Sequence, residues 1–271
     1  MSHGRRADRR RGPDVGVGGN RGSCAILLRV ERDGRTYARV YSPVQKGRDH
    51  GLVEEAVERS GGRLLFSTGR STAPLFLGVE SPEGERIGLT AYVFHASQVV
   101  TRNRPVDEHR AQIRYGDVND ARWRASAHPL GFDPAAVDVT AVLIAHPDAE
   151  LILALDPLAY DPLPLGNSIY FKDEDIAAAV RDGWRVWERN THGGTRKGAV
   201  EPGLETIIAF TPDRLFDFLA VERQAQTLRL DHALRFGVAE RGAGNRVSQR
   251  MHELEQAFGL SSFDLLDIVG R

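Results

Sequence analysis

Two strongly apolar runs, residues 137–146 and 150–156, separated by Pro147-Asp148, constrain this chain more than any other feature. Short runs rich in valine, isoleucine and leucine on either side of a turn read as the two strands of a hairpin. They are the longest apolar stretches present, and both fall well short of the ~20 residues a helix needs to cross hydrocarbon. A buried sheet, with no membrane partner, is the starting expectation.

Around this hairpin the signals alternate. Residues 24–31 and 35–42 form another hairpin about Asp33-Gly34. Residues 49–60 predict a helix with Leu52, Val53, Ala56 and Val57 inward, ended by Gly61-Gly62. Strands follow at 63–67, 74–80 and 85–95, the last two joined by Ser81-Pro82-Glu83-Gly84. Residues 97–136 are polar and Arg-rich, with one strand at 110–115. Beyond the central hairpin come a strand at 167–172, a helix at 173–181 with Ile176 and Val180 inward, and strands at 184–188 and 205–210. Trp184 and Trp187, three apart on a strand, point to opposite faces. Thr211-Pro212 offers an N-cap and a first-turn proline for a helix through Leu215, Phe218, Leu219 and Ala225. Helices at 246–258 and 261–270 complete the pattern, the second behind the capping-box spacing from Ser261 to Asp264.

The fold class expected is α+β: mixed β-sheets with few covering helices, followed by a C-terminal helical segment. Residues 1–22 form a disordered basic arm, Gly-rich and without apolar periodicity. Residues 23–136 form an N-terminal mixed α/β part, residues 137–210 a β-β-β-α-β core, and residues 211–271 the helical segment. The last helix is short and amphipathic, so it needs something to pack on; a homodimer or a missing C-terminal catalytic domain would supply it. The single cysteine, Cys24, cannot close an internal disulfide, and the basic arm lacks the apolar core of a secretory signal, so a cytoplasmic location is expected.

The formal charge is −1, which excludes a strongly basic nucleic-acid binder. The kind of cation says more than the sum. Of 36 basic residues only Lys46, Lys172 and Lys197 are lysines. Arginine suits bidentate recognition of phosphate and guanine, and a GC-rich genome would also produce this excess. On a strand from His109, the residues Arg110, Gln112 and Arg114 share one face by period-two alternation, with Arg102 and Arg104 just upstream. Arg can read guanine or phosphate and Gln adenine, so this strand is the expected contact surface for double-stranded DNA. Asp107 and Glu108 could neutralise it, and a solvated sheet face has the same composition. The loop around Arg196 and Lys197 carries glycines and no acid, and could clamp a phosphate backbone. Arg48 and Arg70 could extend the same surface.

No zinc spacing, P-loop, dinucleotide fingerprint or nucleophile elbow is present. Asp156 ends one strand of the 137–210 segment and Lys172 ends the next, in the order β-β-β-α-β. This arrangement resembles the core of the PD-(D/E)xK restriction-type nucleases. The resemblance implies a metal ligand at Asp156, a catalytic pair Asp156 and Lys172, and Mg²⁺ activating water. It departs at Tyr170, two before the lysine, where the family has a carboxylate or glutamine and where a tyrosine is a poor ligand for a hard cation.

Three readings follow. The chain is a DNA-recognition module of a restriction or defence-type nuclease protein, needing no cofactor; or it is itself a Mg²⁺-dependent endonuclease; or it is a small-ligand or protein-interaction domain.

Overall fold

The computed structural model describes residues 27–32, 35–40, 42–43, 46–98, 105–113, 138–160, 163, 167–191 and 203–242. The first hairpin pairs β1 (Leu27–Arg32) with β2 (Arg35–Val40), and the short β3 (Ser42–Pro43) pairs with β5 (Thr72–Ala73). All other strands belong to one nine-stranded sheet. They are β4 (Arg63–Ser67), β6 (Leu75–Glu80), β7 (Arg86–Gln98), β8 (Glu108–Ile113), β9 (Asp138–His146), β10 (Leu151–Leu155), β11 (Asn167–Lys172), β12 (Trp184–Thr191) and β13 (Gly203–Phe210). The helices are α1 (Gly47–Arg59), α2 (Asp173–Asp182), α3 (Leu215–Leu228) and α4 (His232–Gly242). Among the described residues, no helix is long and apolar enough to cross a membrane.

The sheet runs β11-β8-β7-β9-β10-β13-β12, with β6 and then β4 branching from β7. The apolar hairpin is its centre: Leu151 to Leu155 pair with His146 to Val142. The expected β6–β7 hairpin also forms, with Gly84 at φ +86° in its turn, a left-handed conformation that suits glycine. One pairing is unannounced by local sequence. β7 and β9 run parallel, from Gly88 opposite Asp138 to His95 opposite Ala145.

Alternation divides the core into two layers. On one face Leu89, Ala91, Leu143, Ile152 and Phe210 pack against α1, α3 and α4. On the other, Phe94, Ile144, Leu153 and Ala209 meet Ala111, Ile113, Ile169 and Phe171 of β8 and β11, together with α2. Burial on both faces is why β9 and β10 read as unbroken apolar runs. Trp184 lies in the first layer, its indole N–H bonded to the Ala239 carbonyl at 3.0 Å, and Trp187 packs at the edge of the second.

Two expectations need correction, the first being Val180, which is exposed on α2, where Ala178 and Ala179 are buried instead. The elements of the 137–210 segment occur in the expected chain order, and their pairing is not sequential. β10 has β9 on one edge and β13 on the other, so β11 pairs with β8 instead, three strands away. Thr211 precedes a helical turn with Pro212 at its start, but its hydroxyl bonds the Gly183 carbonyl rather than capping that turn. The expected helices at 246–258 and 261–270 and the basic arm at 1–22 lie outside the described residues.

Candidate nucleic-acid interface

β8 and β11 form a two-stranded ribbon with one dry face. His109, Ala111, Ile113, Ile169 and Phe171 are buried, so the residues between them point outward. Register sets Arg110 opposite Tyr170, Gln112 opposite Ser168 and Glu108 opposite Lys172; on β7, Ser97 stands opposite Arg110. Arg110 donates from Nε and Nη2 to the Ser168 hydroxyl, at 3.2 and 2.9 Å, and its guanidinium sits 6.0 Å from the Tyr170 ring centre. The head group is thereby held in place with its Nη1 end making no hydrogen bond to a described residue. Gln112 is exposed beside it. Of the two acids expected to compete, Asp107 pairs with Lys172 at 3.2 Å, whereas Glu108 shares the outward face with Arg110 and stands opposite Lys172.

Of the other expected DNA contacts, Arg102, Arg104, Arg114, Arg196 and Lys197 lie outside the described residues. Arg48 and Arg70 do not add free charge. Asp148 binds Arg48 at 2.7 Å, and Glu54 binds Arg70 at 2.6 Å.

Asp156 follows β10 and Lys172 ends β11, two strands that are not neighbours. Asp156 is buried just after β10, where Oδ1 accepts the Leu158 N–H at 2.9 Å and starts the 3-10 turn Pro157–Tyr160. Among the described residues no three His, Cys, Asp or Glu side chains come together as a metal cage, and Tyr170 lies against Arg110. This donor set does not fit Mg²⁺, which needs several oxygens in octahedral array.

A histidine cluster lies beneath the ribbon. Ala149 N–H approaches His146 Nδ1 at 3.3 Å; His146 Nε2 lies 3.0 Å from His109 Nδ1; and His109 Nε2 lies 2.6 Å from Asp173 Oδ1. With the backbone donating at one end and a carboxylate accepting at the other, every contact in the chain is satisfied when each ring donates from Nε2. Burial, and then the neighbouring His109, hold the His146 pKa below the ordinary value. Nearby, Asp49 Oδ1 lies 2.7 Å from His95 Nδ1. The half-buried Lys46 ammonium bonds the Val93 carbonyl and sits 4.6 Å from the Phe94 ring centre; burial lowers its pKa to about 8, with Asp49 opposing. These groups went unmarked in the sequence, although His109 falls in phase with Ala111 and Ile113 and is for that reason inward.

Residues 87–219, from β7 into α3, match a family model described as MTaX1, methylase-associated X1. The match points to a protein associated with a restriction-modification system. No curated protein and no solved structure matches the chain.

Proposed function

We propose that this chain is a DNA-recognition module of a restriction-modification system, acting in the cytoplasm on double-stranded DNA through the outer face of β8 and β11. The observation that carries this reading is Arg110, held by Ser168 and flanked by Tyr170 and Gln112 on the outward face of the ribbon. A guanidinium already ordered loses less freedom when it binds a base edge or phosphate. The methylase association of the matched family supports the same partner. Recognition needs no metal in this reading.

Duplex binding measured across a salt series, with and without EDTA, tests it. Affinity is expected to fall steeply with salt, as phosphate neutralisation requires, and to be indifferent to EDTA. Weak binding with a flat salt response would remove DNA as the partner and leave the small-ligand or protein-interaction reading.

A further inference from the structure

We propose that Asp49 and His95 are a general-base dyad that hydrolyses a phosphodiester of the nucleic acid bound on this face; the inference rests on the recognition reading above. His95 lies on β7 between the buried Phe94 and Ala96, so it points the same way as Ser97. Ser97 is the register partner of Arg110. The imidazole therefore stands on the side of the sheet that carries Arg110, Gln112 and Tyr170.

Its two nitrogens have different surroundings. Nδ1 is held at 2.7 Å by Asp49, whose side chain is 7% exposed in the first turn of α1, whereas the His95 side chain is 51% exposed. No described residue bonds Nε2. A buried carboxylate on one ring nitrogen fixes the tautomer, leaves the other nitrogen basic toward solvent, and stabilises the imidazolium once formed. His109 and His146 cannot serve this way, because each of their ring nitrogens already faces a partner.

In the step, His95 Nε2 takes a proton from water and the water oxygen forms a bond to phosphorus. The bond from phosphorus to the leaving nucleotide oxygen breaks, that oxygen takes a proton from solvent on the opposite side, and the imidazolium releases its proton to solvent. One phosphomonoester and one alcohol result, with Asp49 holding the ring in place.

The test is single-turnover incubation of plasmid DNA, methylated and unmethylated, with excess full chain in EDTA between about pH 6 and 9, a range that brackets the ordinary histidine pKa. Binding is followed on the same DNA. Wild type is expected to nick; His95→Gln and Asp49→Asn are each expected to slow nicking about 100-fold or more while binding and melting temperature hold. DNA that is bound but left intact, or cut equally by His95→Gln, overturns the dyad and spares the recognition reading. DNA that is not bound at all overturns both.

Discussion

The Gln226 side chain completes the β9 ladder at Thr140: its amide nitrogen donates to the Thr140 carbonyl at 2.6 Å and its oxygen accepts the Thr140 N–H at 3.2 Å. β10 pairs with β9 only as far as Val142. Past that point a side chain from α3 takes the place of a strand. Gln226→Ala strands two buried backbone groups, each with a desolvation cost of ~1–3 kcal/mol. Denaturant melts should show a loss of that order or more. A loss below about 0.5 kcal/mol would mean that water replaces the amide without cost.

The same glutamine also bonds Glu222 at 2.5 Å, and Glu222 grips Arg235 through two contacts of 2.5 and 3.1 Å. Both members of the ion pair are essentially fully buried, and they join α3 to α4. Removing one partner leaves an uncompensated charge, so Arg235→Leu should cost about 3–5 kcal/mol. The double replacement Glu222→Leu with Arg235→Leu should cost distinctly less than that single change. A double-mutant cycle in urea checks this, and strict additivity would contradict it.

Arg235 also shows what a sequence conceals. Strands at 63–67, 167–172 and the central hairpin are readable because their apolar runs end at turn residues, and α3 because Leu215, Phe218, Leu219 and Ala225 keep helical spacing and are all buried. Helix α4 went unseen, since an arginine occupies an inward position beside Val238 and Ala239 and breaks any apolar stripe. The ribbon face was legible through period-two alternation alone. The β7–β9 pairing and the contact between His109 and His146 were not, because they join distant stretches of chain and no local pattern reports which strands become neighbours.

Acid should loosen the molecule through its buried histidines. His50, in the first turn of α1, is fully buried, and burial together with the Lys46 ammonium lowers its pKa to about 4. The unfolded chain takes up a proton near the ordinary histidine value of ~6.5 while the folded chain resists it. The stabilising contribution of neutral His50 is therefore complete above about pH 6.5 and is lost as pH falls toward 4, by about 2–3 kcal/mol at pH 4.5. His146 adds to the loss in the same direction. Comparing stability against pH for wild type and His50→Gln, which cannot titrate, should show a flatter acid limb in the variant. Parallel curves would put the acid sensitivity elsewhere.

The DNA face yields the most discriminating substitutions. Arg110→Lys keeps the charge but gives up the planar fork and its two bonds to Ser168. If Arg110 reads a base edge, both Arg110→Lys and Arg110→Ala should erase ~1–3 kcal/mol of preference for the best duplex over a single-base variant. If it contacts only phosphate, Arg110→Lys should bind nearly as wild type, and Arg110→Ala should weaken all duplexes alike while reducing the salt slope by about one. Ser168→Ala separates ordering from contact. It leaves the guanidinium present but unheld, and affinity should drop by the ~0.5–1.5 kcal/mol of one hydrogen bond, through slower association or faster release, without change in sequence preference. Anisotropy titrations on a small duplex panel measure all three, and wild-type behaviour from Arg110→Ala would remove the ribbon from the interface.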